Sequence, residues 1–289
     1  MNPTIDIIIP SYNAGGLLKK NLPQVLKNSP QVGKIIIVDN GSTDDTQEVK
    51  KLSPKITIIH NQKNQFFTIA VNQGFQASKA NLVVLINNDV LPQKDYIRNA
   101  LKYFKDPKVF AVTFNEKHSS WPQVSWENGK YQYTQGKDKT KPIYSAWGSG
   151  GSAIFKRTIW NQLEGFNEIY SPGYWEDIDI SWRAWKKGFK VVWEPTAKVI
   201  HQHESSFKKL NQNYVNLIKQ RNELLFIWQN FTQLKYWLSH LWFLISHTLT
   251  HLGYLKVIFA ALLQLPQAHR IKKSKLTDQQ VLNIVNKNP

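Results

Sequence analysis

Four carboxylates in this chain stand where a carboxylate can do chemistry. Asp39 directly follows the β-branched run 35–38, and Asp89 follows the apolar run 82–86 after Asn87 and Asn88. In an open α/β sheet, ligands gather beyond the carboxyl ends of the strands, so these two aspartates are expected along one crevice. There an aspartate can accept a hydrogen bond from a ligand or hold a hard divalent cation. Glu176 and Asp177 open a segment in which Ile178, Trp182, Trp185 and Phe189 recur at i, i+4, i+7 and i+11. That spacing buries one face of a helix and leaves the acids at its start. A carboxylate in a partly desolvated pocket suits a general base. Each acid also has a plainer reading: aspartates are common in turns, and acids at a helix start favour the macrodipole.

The elements that must position them follow from hydrophobic periodicity. Residues 5–10, 34–38, 56–60 and 82–86 read as buried strands, and 17–26, 44–52 and 67–78 as helices between them. Alternation of this kind predicts a mostly parallel central sheet covered on both faces, an α/β fold. Ser42, three residues before Asp45, has the spacing of a capping box. Residues 115–145 read as loops with a hairpin. They are followed by a turn dense in glycine (Gly148, Gly150, Gly151), a strand at 152–155 and a strand at 190–193 that ends at Glu194 and Pro195.

IIIPSYN at 7–13, VDNGSTDDT at 38–46, LINNDV at 85–90 and the long stretch from Gly165 to His201 around YWEDIDISW resemble the inverting family 2 glycosyltransferases, in particular the rhamnosyltransferase-like branch. The resemblance covers about residues 4–206. It implies a GT-A fold, the nucleotide-diphospho-sugar transferase fold, with a nucleotide-binding part over about 1–114 and an acceptor part over about 115–206. It also implies Pro10, Tyr12, Asp39, Asn72 and Asn88 as donor contacts, with Tyr12 placed to stack on a base. The family's metal motif is usually Asp-x-Asp; here it is Asn87-Asn88-Asp89, which leaves Asp89 as the direct ligand for Mg²⁺ or Mn²⁺, joined by His201 late in the domain. By the same resemblance Asp177 is the base, Glu176 positions the acceptor or tunes Asp177, and Trp147, Gly150 and Trp175 line the acceptor side. The implied donor is a UDP- or dTDP-sugar, the implied acceptor a saccharide or lipid-linked saccharide, and the implied process cell-surface polysaccharide synthesis.

Composition bounds the alternatives. The chain has 289 residues, 11 Trp, no cysteine and a formal charge of +17. Disulfides, thiolate metal sites and a cysteine nucleophile are therefore excluded. No GxxxxGK[ST] loop occurs, and no GxGxxG follows the first strand. After Ser206 the chain carries eleven Lys and Arg but only two acids, Glu223 and Asp278, beside the apolar stretch 236–265. That combination predicts a helical, basic region, 207–289, lying on an anionic membrane surface rather than crossing it, because polar residues interrupt every window of spanning length. The plainer reading is a helical pair packed on the catalytic domain with a solvated basic tail, and the aromatic helices could also pair with a second copy. The N-terminus enters a strand-like run with no apolar leader, so the expected location is cytoplasmic, at the inner face of the membrane. The competing functions are a polyprenyl-phosphate sugar synthase, a nucleic-acid-binding module and an inactive scaffold. Against nucleic acid stands the absence of zinc spacing and of an RNA-binding aromatic signature.

Overall fold

The computed structural model describes residues 3–116, 121–136, 140–202, 211–267 and 274–286. Strands β1 (Ile5–Ser11), β2 (Lys34–Asp39), β3 (Ile56–His60) and β4 (Leu82–Ile86) form a parallel block in the order β3-β2-β1-β4. Between them run α1 (Gly15–Asn28), a 3₁₀ helix at Asp45–Leu52 and α2 (Phe66–Ala77). The sheet is buried on both faces, and β1 shows how: Ile7 and Ile9 join one apolar cluster while Ile8 joins the other. Alternate side chains of a strand point to opposite faces, so a continuous Ile run fits only a doubly covered strand. Helix α2 lies so close to β1 that a Cβ on Gly74 would come within 2.6 Å of Ile8.

Beyond β4 the sheet becomes mixed. Next come β5 (Val90–Pro92), α3 (Tyr96–Leu101) and β6 (Val109–Glu116), the separate hairpin of β7 (Pro122–Glu127) with β8 (Lys130–Gln135), β9 (Ile143–Tyr144), β10 (Ser152–Lys156) and α4 (Arg157–Gln162). After α5 (Glu176–Lys186), β11 (Lys190–His201) completes a sheet of nine strands among the described residues. Strand β10 runs antiparallel to β4 and β6, and β11 runs parallel to β6 and antiparallel to β5.

Two local expectations are corrected. The helix expected at 44–52 is a 3₁₀ helix capped by Asp44, which accepts from the Thr46 N–H, whereas the Ser42 hydroxyl accepts from Asn13 N at 2.9 Å. Asp44 wins because its carboxylate also accepts from Gly15 N at 2.8 Å, tying the first turn of α1 to this loop. The strand expected to stop at Trp193 continues to His201 through an irregularity between Glu194 and Lys198. Proline cannot donate to a ladder, and here Pro195 sits in the irregularity while Glu194 accepts from the Thr196 N–H at 2.8 Å.

The C-terminal helices are α6 (Gln212–Asn230), α7 (Leu234–Thr250), α8 (Leu255–Gln264) and α9 (Asp278–Val285). They share one apolar cluster with α2, α5 and β10, which includes Phe75, Phe155, Trp182, Phe226, Phe231 and Val281. The boundary expected near 206 lies outside the described residues.

Candidate active site

The turn after β4 carries Asn87, Asn88 and Asp89, and contacts from the glycine turn, the end of β11 and helix α1 fix it. Asn87 N donates to Gly151 O at 3.0 Å, Gln202 N donates to Asp89 O at 2.9 Å, and Asn21 reaches across from α1 to Asn88 O at 2.9 Å. A Cβ on Gly151 would fall 2.5 Å from the side-chain nitrogen of Asn87, so a larger residue there would push that side chain aside. Asn88 is thus held through its backbone at the same edge.

The extension of β11 pairs His201 with Val90 of β5. That register places His201 Nε2 3.1 Å from Asp89 Oδ1. On the other side of the ring, Nδ1 lies 3.1 Å from Glu116 Oε2 at the end of β6, and the other Glu116 oxygen accepts from the Ser152 hydroxyl. Burial alone would lower the His201 pKa, but the bonds to Asp89 and Glu116 outweigh it and push it to about 9. Glu116 was not legible as a functional residue, because it belongs to no motif and meets His201 only through the pairing of β6 with β11. Asp89 and His201 offer one carboxylate and one imidazole, and a carboxylate behind the second ring nitrogen is the usual support for a metal-bound histidine. Among the described residues no cluster of three or more His, Cys, Asp or Glu could hold a metal by itself. The pair therefore fits a cation that completes its shell with water and phosphate oxygens, as Mg²⁺ and Mn²⁺ do at nucleotide sites.

The acids of α5 divide by role. Asp179 is buried and structural: it binds Arg183 at 2.7 Å and accepts from Asn230 at 2.7 Å and from the Tyr170 hydroxyl at 3.1 Å. Glu176 and Asp177 instead line a cavity of about 590 Å³ with Trp147, Trp175, Tyr133 and Tyr174. Asp177 accepts from Gly150 N at 3.0 Å and from Ile178 N at 2.9 Å. Burial raises its pKa in spite of these two bonds. Burial raises Glu176 further, and the neighbouring charge of Asp177 adds to that effect. One Glu176 oxygen, Oε2, is buried without a hydrogen-bond partner. Two residues before α5 adopt left-handed backbone, Tyr174 at φ 71° and Trp175 at φ 77°. Bulky residues rarely do so unless the surroundings impose it. Here Asn222 of α6 imposes it, donating to the carbonyls of Tyr170, Gly173 and Tyr174 at 2.9, 3.0 and 2.9 Å.

The turn 148–151 joins the two halves of the site, with Gly150 N on Asp177 and Gly151 O on Asn87. The negative field of Glu116 reaches Asp177 as well. Trp147, Gly150 and Trp175 therefore stand around Asp177, and Asn88, Asp89 and His201 lie just beyond the glycines.

The residues expected on the donor side lie in three places. Pro10 lies near the end of β1, and Tyr12, 38% exposed, follows it. Asp39 pairs in register with Ser11 but is fully buried: one oxygen accepts from Ser42 N at 2.9 Å and the other meets His60 Nδ1 at 2.8 Å. It presents no surface of its own, and the half-exposed group at that edge is His60, which the sequence reading missed. Asn72 lies apart from the site. Both ends of its amide bind the backbone of Phe166, at 2.9 and 3.0 Å, beside a different cavity on the α2 and α4 side. The side chain so engaged holds the Phe166 loop.

Comparison with known proteins agrees with this geometry. The sequence is 26% identical to the O-antigen chain rhamnosyltransferase RfbN of Salmonella typhimurium over 222 residues, 73% of this chain and 70% of that protein. It is 25% identical to the poly-beta-1,6-N-acetyl-D-glucosamine synthase of Staphylococcus aureus over 208 residues, 67% of this chain but 48% of the synthase. Among solved structures, GalNAc-T7 with UDP, GalNAc and Mn²⁺ superposes with a TM-score of 0.64 at 15% identity, over 78% of this chain and 48% of that one. The mannosyltransferase PcManGT of Pyrobaculum calidifontis, in complex with GDP-Man and Mn²⁺, gives 0.59 at 17% identity over 94% and 77%. These two establish that the fold is GT-A. The model for "Glycosyl transferase family 2" matches residues 6–163, more than half of the chain and the part that carries β1, β2, β4 and the glycine turn, and so the chain belongs to glycosyl transferase family 2.

Proposed function

We propose that this glycosyltransferase moves a sugar, with inversion, from a UDP- or dTDP-sugar to a saccharide or lipid-linked saccharide acceptor during cell-surface polysaccharide synthesis. The observation that carries the reading is the turn 148–151, which binds the α5 carboxylate through Gly150 and the Asp89 turn through Gly151. A candidate base and a candidate phosphate-side cation site are thereby set on either side of one short backbone segment. Inversion needs this arrangement, since the acceptor oxygen must attack the anomeric carbon opposite the departing diphosphate. Asp177 takes the acceptor proton, and its raised pKa makes it a stronger base than an ordinary aspartate. Glu176, raised by burial and by the neighbouring charge of Asp177, lines the same cavity and positions the acceptor. Asp89 and His201 would hold a divalent cation, which when bound neutralises charge on the leaving diphosphate. Pro10, Tyr12 and His60 border the crevice in which the nucleotide would lie, with Asp39 orienting His60.

The surface supports membrane attachment. Leu234, Trp237, Leu238, Leu241, Trp242, Ile245 and Leu249 form an exposed stripe on α7, and Leu255, Phe259, Leu262 and Leu263 form one on α8, with Trp242 at 71% and Leu263 at 80% exposure. Among the described residues no helix is long and apolar enough to cross a membrane. Stripes of this kind on a chain of charge +17 fit helices lying in the headgroup layer of an anionic bilayer.

The test is incubation of the full chain with UDP-, dTDP- and GDP-sugars, Mn²⁺ or Mg²⁺, and octyl glycosides, followed by NMR of the product. Metal-stimulated release of one nucleoside diphosphate and an inverted anomeric centre are expected. Retained configuration, or no release from any donor, would contradict the proposal.

A further inference from the structure

The cavity beside Asp177 is not closed by the catalytic segment alone. Helix α6 contributes Lys219, Gln220 and Glu223 to its wall, and strand β8 contributes Lys130, Tyr131, Gln132 and Tyr133. Glu223 is one of only two acids after Ser206, and it is turned inward to this cavity, 9% exposed. Its Oε1 meets Lys130 Nζ at 3.2 Å. Among the described residues its other oxygen accepts no hydrogen bond, so acceptor capacity remains. Lys130 is held from behind by the Phe243 ring, 5.3 Å from its ammonium. Tyr133 connects the two ends of the cavity: its ring packs edge-on against Trp147 at 5.3 Å and Trp175 at 6.3 Å, and the charges of both Asp177 and Glu223 act on its hydroxyl.

A buried carboxylate beside an ammonium, opposite a wall of tryptophan and tyrosine, has the chemistry of a sugar subsite. Aromatic faces pack on the apolar C–H face of a pyranose. A carboxylate–ammonium pair accepts from one hydroxyl and donates to the next, and such charged hydrogen bonds read hydroxyl orientation. A purely structural pair would need neither the open cavity nor the spare acceptor. We propose that Glu223 and Lys130 recognise the hydroxyls of the acceptor sugar, so that acceptor specificity is set by α6 and the β7–β8 hairpin together. This rests on the transferase reading above.

The experiment measures binding of octyl glucoside, galactoside, mannoside, rhamnoside and N-acetylglucosaminide to the full chain saturated with nucleoside diphosphate and Mn²⁺, for wild type, Glu223→Gln and Lys130→Met. Loss of a charged hydrogen bond to a ligand should weaken the preferred glycoside about 10- to 100-fold. It should also flatten the ranking among epimers, while nucleotide affinity is retained as the control for folding. A role confined to packing would not change the ranking. Wild-type affinity and ranking in either variant would overturn the proposal, and so would a wild-type protein that binds nucleotide but none of the glycosides. Failure to bind any nucleoside diphosphate would instead count against the transferase reading itself.

Discussion

Asp177 and Glu176 are neighbours in sequence and line one cavity, but their surroundings give them different tasks. Asp177 keeps two backbone N–H donors, which stabilise its charge against the cost of burial; Glu176 has an unpartnered buried oxygen. Asp177→Asn should lower turnover by about 10²- to 10⁴-fold, the usual contribution of a general base, with nucleotide affinity little changed. Glu176→Gln should be tolerated far better in the same steady-state assay, because a positioning group takes no proton from the acceptor and an amide can still hydrogen-bond to it. A carboxylate whose folded pKa lies above its unfolded value loses stability as pH rises through that window. Asp177→Asn should therefore raise the melting temperature at neutral pH, by about 2–4 °C for each kcal/mol relieved. For the same reason the acid limb of kcat should fall above the ordinary aspartate range, and a limb at the ordinary value would contradict the raised pKa. At this scale the motif residues were legible because their types and strand-end positions announce themselves. Glu116, His60 and Glu223 were not, since each acquires its neighbours only through long-range pairing. Asn72 and Asp39 show a further side of this, since the bonds of Asn72 to the Phe166 backbone and of Asp39 to Ser42 N and His60 also come from pairings that no motif announces.

The elements that hold the site are tied by buried polar contacts rather than by apolar packing alone. Lys186 at the end of α5 meets Asp278 at the start of α9 at 2.5 Å with both side chains fully buried, and Asp278 also accepts from the N–H groups of Thr232 and Gln233 at 2.8 Å. Removing one partner leaves an uncompensated buried charge. Lys186→Met should cost about 3–5 kcal/mol in urea unfolding, and Asp278→Asn in the same background should recover part of that loss. Equal stability of the single variant and wild type would show that the pair is not coupled. The parallel strands were readable from their β-branched runs, because strands covered on both faces carry no polar alternation. The continuation of β11 was not, because Glu194 and Pro195 look like an ending; only the pairing with β6 and β5 carries the chain on to His201. Without that irregular passage His201 would not face Asp89.

Over the whole molecule, the C-terminal helices have two faces with different partners. One face is built into the catalytic core and, through Asn222, holds the loop before α5; the other exposes the stripes of α7 and α8. Cutting the chain near 206 would remove both, so point changes are the sharper probe. Trp237→Gln with Leu241→Gln and Trp242→Gln should abolish co-sedimentation with liposomes containing acidic lipid while nucleotide binding persists. Wild type that does not sediment with such liposomes but forms dimers lost in the same variant would assign the stripes to a second copy instead. Asp89 and His201 are proposed to form the cation-dependent phosphate end of a donor site. The most direct test is calorimetric titration of the full chain with UDP, dTDP and GDP, with and without Mn²⁺, for wild type and Asp89→Ala. One nucleotide is expected to bind only with Mn²⁺, and Asp89→Ala to weaken that binding by an order of magnitude or more. Metal-independent binding of equal strength in both proteins would contradict it.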